Sequence, residues 1–170
     1  SWIPSETPRR LDRAPFVELI AAGNLRVTDG DVTDHKAILK QYDDWQKIYN
    51  ILSVAADPAN ARTVLTDLVS AGFVVFDFRQ NAASYNEPID RLTEYLAADR
   101  ISHGNDPLLG WAMDNLIVKI NSAGLQMPAK DKSIEKIDPA VAVLMSFSEC
   151  LFSDAEGSGS YYDDNDVRSV

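Results

Sequence analysis

Residues 51–78 read ILSVAADPANARTVLTDLVSAGFVVFDF, and this stretch sets the architecture. Ile51 to Ala56 is a compact aliphatic run, too short to be a helix of its own, which predicts a buried strand. Asp57-Pro58 comes next. Aspartate is favoured as a helix N-cap and proline as the first helical residue, so a helix opens here. Leu65, Leu68 and Val69 give that helix its apolar face, and Gly72 ends it. Phe73 to Phe78 is a second apolar run and a second strand. Strand, helix, strand in this order predicts an α/β protein with parallel pairing.

Working outward, residues 1–10 lack periodicity and read as an arm. Residues 12–22 predict a short helix stopped at Gly23-Asn24, and Leu25 to Thr28 a short extended piece before the turn Asp29-Gly30-Asp31. From Asp34, the spacing of Ile38, Tyr42, Trp45 and Ile48-Tyr49 predicts a helix with one buried stripe. Residues 79–86 read as a polar loop, and Glu87-Pro88 as the start of a helix through Ile89, Leu92, Tyr95 and Leu96. Beyond the loop His103 to Pro107, a helical turn (Leu108 to Met113) precedes a strand (Leu116 to Ile120). A turn and a partner strand at Leu125 to Pro128 then follow. Lys130 to Lys136 is a charged connector. Asp138-Pro139 repeats the aspartate-proline start, and from there to Phe152 the chain is apolar nearly all round, which predicts a buried helix. We divide the chain into one domain, residues 1–152, and an acidic Gly/Ser-rich tail, 153–170.

At 170 residues the chain is long enough to bury a real core. Its composition, 45% hydrophobic and 25% charged, is that of a globular domain rather than a fibrous or disordered one. No apolar run approaches the roughly 20 residues of a membrane span, and no signal peptide is expected at the N-terminus. The single cysteine, Cys150, excludes an internal disulfide and fits a reducing compartment. The net charge of −10 makes the chain a poor stand-alone binder of nucleic acid, since phosphate repels it at long range. Part of that charge is local: residues 153–170 hold five acids against one arginine. Neither a G-x-x-x-x-G-K-[ST] nor a G-x-G-x-x-G motif is present, so no standard nucleotide-phosphate loop is expected.

Two aspartates stand out by position. Asp57 ends a strand, and Asp138 begins a helix. Active sites of open α/β sheets collect at the carboxyl ends of strands, and two carboxylates brought together there can hold divalent cations. The alternative is that each is spent on capping its helix. His103 is a candidate general base or phosphate contact, or else an exposed loop histidine. Lys119, Lys130, Lys132 and Lys136 can meet a phosphate backbone, or form a solvated face with Asp114, Asp131 and Glu135. The tail, with Tyr161-Tyr162 among acids, is either a docking peptide or simply solvated.

As an ordered set, four segments resemble the C-terminal nuclease part of tailed-phage terminase large subunits. They are His103-Gly-Asn-Asp-Pro-Leu-Leu-Gly-Trp111, Asp114-Asn115-Leu-Ile-Val-Lys119, Pro128-Ala-Lys130 and Lys136-Ile-Asp138-Pro-Ala-Val-Ala142. Upstream, Ala22-Gly23-Asn24-Leu25 through Val32 resembles the family's "G-x-L…T-x-G" stretch, and Asp57 falls where the family has an acid after a strand. The resemblance spans about residues 3–152. It implies a ribonuclease-H-like mixed sheet flanked by helices and an endonuclease using two Mg²⁺ or Mn²⁺ ions. The substrate would be concatemeric double-stranded DNA, cut in the host cytoplasm during phage packaging. It carries metal ligation and catalysis over to Asp57 and Asp138, and DNA contact to Lys119, Lys130, Asn115 and His103. It further implies a first acidic ligand on a strand upstream of residue 1, a separate ATPase domain, and the small subunit and portal as partners. A rival class is a nuclease-inactive module that docks portal or small subunit; another is a small-ligand domain whose two Asp-Pro pairs are only caps.

Overall fold

The computed structural model describes residues 1–7 and 15–155. In chain order the elements are β1 (Trp2–Pro4), α1 (Phe16–Ala21), β2 (Arg26–Thr28), α2 (His35–Gln46), β3 (Val54–Ala56) and α3 (Pro58–Ser70). They continue with β4 (Val75–Asp77), α4 (Ala82–Ala97), α5 (Pro107–Asp114), β5 (Val118–Ile120), β6 (Gln126–Pro128) and α6 (Asp138–Ala155). The expected α/β class with mixed pairing is present. Among the described residues the strands form three two-stranded ladders: β1–β2 and β3–β4 parallel, β5–β6 antiparallel.

The unit read from residues 51–78 forms as β3–α3–β4. Val54 sits opposite Val75 and Ala56 opposite Asp77. Asp57 caps α3, and Gly72, at φ +92°, turns the chain out of it, a backbone state that costs glycine little. Val54, Val64, Leu65, Leu68, Phe73 and Val75 close one core cluster. Val69 departs from expectation: it is 58% exposed, because the contact surface of α3 is centred on Leu65 and Leu68.

Four further expectations are corrected. The arm expected at residues 1–10 contains β1, which pairs Ile3 with Val27 and buries Ile3 against Phe16, Leu19, Leu25 and Leu108. The α2 stripe is only half-buried. Ile38 and Tyr42 pack on the β3–α3–β4 core, while the helix stops at Gln46 and leaves Ile48 73% exposed beside exposed Tyr49. The polar loop expected over 79–86 is largely helix. Asn81 accepts the Ser84 N–H at 3.0 Å, so α4 starts at Ala82 and carries Pro88 inside it. Finally, α6 is not buried all round: Val141, Leu144, Met145 and Ser148 face the core, while Ala142, Ser146 and Cys150 are exposed. It also runs three residues past Phe152. Residues 12–14 of the first expected helix and residues 156–170 of the expected tail lie outside the described residues.

The central core joins α4 to α6. Phe78, Tyr85, Ile89, Leu92, Ile137, Val141, Leu144 and Met145 form one buried cluster, with Ala55 of β3 packed at its margin. Each such side chain contributes roughly 1.5–3 kcal/mol by leaving water. Helix α6 thus rests on α4, α5 and β3, and strand β6 rests on α4. The hairpin β5–β6 is fixed to α4 by side chains. Asn86 Oδ1 accepts the Gln126 N–H at 2.9 Å, and the Gln126 side-chain amide donates to Asp90.

Candidate functional site

Asp57 lies where β3 hands over to α3. Its Oδ1 accepts the Ala59 N–H at 3.0 Å, the capping bond that the Asp-Pro pair predicts. Its Oδ2 accepts from Gln80 Nε2 at 2.9 Å. Gln80 is 23 residues away but is delivered by the ladder: the Phe78 N–H donates to the Ala56 carbonyl at 2.8 Å, which lays the loop after β4 beside Asp57. Each Asp57 oxygen therefore holds one donor and keeps acceptor capacity. The half-buried carboxylate both caps a helix and retains lone pairs for a cation.

Tyr85 comes from the first turn of α4. Its ring meets Phe78 at 5.0 Å between centroids, it is 1% exposed, and its hydroxyl has no hydrogen-bond partner among the described residues. Burial, and secondarily the negative charge of Asp57, push this phenol up to about 12, so it stays a protonated donor near neutrality.

Asp138 is the first residue of α6, and its side chain is 65% exposed. It differs from Asp57 in what it holds. Among the described residues its partner is Lys130, whose Nζ lies 3.9 Å from Oδ1, and no backbone amide is capped by it. The hairpin places that lysine: the Ala129 N–H donates to the Ile117 carbonyl at 2.7 Å, carrying the pairing past Pro128 so that exposed Lys130 follows directly. Lys119, on β5, donates to Asp131 at 3.1 Å, and this bond holds the Asp131 carboxyl below the usual carboxylate range.

The remaining expected residues lie apart from this pair in bonding. Asn115 Nδ2 donates to the Trp111 carbonyl at 2.8 Å and finishes the C-terminus of α5. His103 is exposed in the loop before α5, its carbonyl 3.5 Å from the Asp106 N–H. No described hydrogen bond or ion pair ties either to Asp57 or Asp138. The fold packs β3, the strand that leads into Asp57, against α6, the helix that Asp138 begins, while each carboxylate keeps its own partners. Gln80 and Tyr85 were missed by sequence reasoning because they were placed in a polar loop. The spacing Tyr85, Ile89, Leu92 is the signal that continues the helix backwards.

Among the described residues no three His, Cys, Asp or Glu side chains converge into a metal cluster. Two carboxylates still suit Mg²⁺ or Mn²⁺, because such a hard cation commonly takes one or two carboxylates and completes its shell with water and substrate phosphate. The open acceptor positions on Asp57 and the exposed Asp138 fit that donor set.

A mixed α/β domain of parallel and antiparallel ladders packed against α4 and α6 has a ribonuclease-H-like fold. Residues 3–154 match the family described as "Terminase large subunit, endonuclease domain", and the chain belongs to that family. It is 24% identical over 179 residues to Protein YmfN of Escherichia coli (strain K12), covering 99% of this chain and 39% of that one. It is 25% identical over 167 residues to the terminase large subunit of Enterobacteria phage HK97, covering 95% of this chain and 33% of the relative. The crystal structure of the HK97 bacteriophage large terminase superposes with a TM-score of 0.79 at 26% identity, over 87% of this chain and 32% of the other. The chain thus spans about a third of the length of these relatives.

Proposed function

We propose that the chain is a metal-dependent endonuclease domain that cuts concatemeric double-stranded DNA for packaging. Asp57 and Asp138 are its catalytic carboxylates. The observation that carries this is Asp138: it heads α6 with an exposed carboxylate that caps no amide among the described residues, on the helix that packs against the strand leading into Asp57. Capping engages one oxygen of Asp57, whereas the exposed Asp138 carboxylate stands beside Lys130 at the head of α6.

Two Mg²⁺ or Mn²⁺ ions, when bound, would supply a nucleophilic water at neutral pH and charge stabilisation of the leaving oxygen. Asp57 and Asp138 would hold them. Asp57 does so while its orientation is fixed by the Ala59 amide and the Gln80 side chain. Lys130, 3.9 Å from Asp138, would be available to a DNA phosphate where that carboxylate held a cation. Lys119, half-engaged with Asp131, adds a second phosphate contact on the same hairpin, with Asn115 and His103 further along the DNA path. With a net charge of −10 the chain receives DNA from the packaging machinery, including portal and small subunit, rather than capturing it alone. The work is done in the host cytoplasm during phage assembly. No described helix is long and apolar enough to cross a membrane.

A second reading, a nuclease-inactive module that docks portal or small subunit, draws on the lack of a three-ligand cluster among the described residues. Nicking of supercoiled plasmid by the 170-residue chain separates the two. Cutting that needs Mn²⁺ and stops with EDTA supports the nuclease; intact plasmid across a Mn²⁺ titration supports the docking module.

A further inference from the structure

Gln80 spends a side-chain amide on an acid that is already engaged as a cap. Ala59, in the first turn of α3, donates to Asp57 Oδ1 at 3.0 Å, which is all that closing the helix start requires. Gln80 Nε2 then donates to Oδ2 at 2.9 Å from the loop between β4 and α4. An ionised carboxylate only accepts, so the amide nitrogen is the end of Gln80 that faces it. The loop that delivers Gln80 is fixed at both ends. On one side the Phe78 N–H donates to the Ala56 carbonyl at 2.8 Å; on the other the Asn81 N–H donates to the Arg79 carbonyl at 2.8 Å, where Asn81 caps α4. Two donors from separate elements, one on each oxygen, hold the carboxylate against rotation, while each oxygen keeps an open acceptor position.

We propose that Gln80 is a positioning residue that sets which cation Asp57 accepts: by holding the carboxylate in one orientation it favours Mg²⁺ over Ca²⁺. The inference rests on the metal-binding role given to Asp57 above. Mg²⁺ demands near-ideal octahedral geometry, whereas Ca²⁺ tolerates a flexible shell, so selectivity between them depends on how freely the ligands move. A carboxylate that cannot turn is ordered in advance for the strict ion and gains the tolerant ion little. Groups that hydrogen-bond to metal-ligating side chains commonly change affinity by about ten- to a hundredfold. Gln80 acts on the cation only through Asp57.

Gln80→Met keeps the length of the side chain and removes its donor; Gln80→Leu removes the donor with a different shape. Mg²⁺ and Ca²⁺ affinities of the 170-residue chain are measured by isothermal titration calorimetry for wild type, both Gln80 variants and Asp57→Asn. Metal-free circular dichroism is recorded on each. The expected result is Mg²⁺ binding about tenfold weaker in both folded Gln80 variants, with Ca²⁺ binding less affected and the Mg²⁺-to-Ca²⁺ affinity ratio lowered. A bond that serves structure alone leaves that ratio where it is. Equal losses for the two ions, or Gln80 variants that both fail to fold without metal, therefore overturn the inference. So does Mg²⁺ binding unchanged in both Gln80 variants while Asp57→Asn has lost it, a result that leaves the metal role of Asp57 standing. Wild type and Asp57→Asn binding Mg²⁺ alike, or neither binding it, would remove that role, and the inference with it.

Discussion

Gln80 donates to Asp57 Oδ2 at 2.9 Å across 23 residues of chain. The bond joins the ends of two neighbouring parallel strands at the point where β3 stops and α3 begins. It gives the Asp57 carboxylate a fixed orientation beyond what capping requires. Replacing Gln80 with leucine removes a donor to a charged, partly buried acceptor, so the urea-unfolding free energy should fall by about 1 kcal/mol with little change in m-value. An unchanged midpoint would show that the bond contributes nothing to stability.

Asp57 also caps α3, and asparagine caps about as well as aspartate. Asp57→Asn keeps the cap and should therefore lose less stability than Asp57→Ala, which loses about 1 kcal/mol through the orphaned Ala59 amide in addition to the Gln80 bond. Thermal unfolding of both variants checks the pair. Equal losses would mean that the carboxylate charge, not the cap, stabilises this corner.

Leu144 links the two helices that position the site. It is 1% exposed, in the cluster shared by α4 and α6. Leu144→Ala should cost about 2–5 kcal/mol, from lost burial and the cavity left behind. Chemical denaturation measures it. A loss under 1 kcal/mol would mean that α6 is not held by this core.

Much of this fold was legible in the residues. The cap at Asp57 and the helix read from Asp34 are kept by the structure, while Asp106, read as part of a loop, caps α5. The aliphatic runs before Asp57 and after Gly72 became β3 and β4. What was not legible depends on contacts distant in sequence. Trp2–Pro4 becomes a strand only because β2 lies beside it, and three residues ending in proline carry no strand periodicity of their own. The start of α4 was hidden because residues 79–86 are polar on the surface side, with Tyr85 as the one large side chain turned to the core. Of the candidate site, Asp57 and Asp138 were singled out from their places beside proline. Gln80 was not, because its contact with Asp57 exists only once β4 has paired with β3.

The surface of α2 gives a prediction in pH. Lys40 and Lys47 donate to Asp44 at 2.6 and 2.8 Å, and these hydrogen bonds lower its carboxyl to about 2. A folded-state value below the unfolded one stabilises the fold above the unfolded value, near pH 4. That stability is lost as pH falls from there through about 2. The side chain is exposed and the pairs are screened, so the stability effect is small. The titration is the sensitive readout. In Lys47→Ala the NMR midpoint of the Asp44 carboxyl should rise toward the ordinary carboxylate value, more so at low salt. No rise would mean that the Lys47 contact is not formed in solution.

Asp138 carries the central claim, since among the described residues it holds no amide and faces a lysine where a cation would compete. The direct measurement is the Mn²⁺-dependent rate of plasmid cleavage by wild type and Asp138→Asn, with far-UV circular dichroism and melting temperature recorded on both. Loss of cutting by at least a hundredfold, with the spectrum and melting temperature preserved, is the predicted result. Undiminished cutting by Asp138→Asn would contradict the assignment of this aspartate to the catalytic centre.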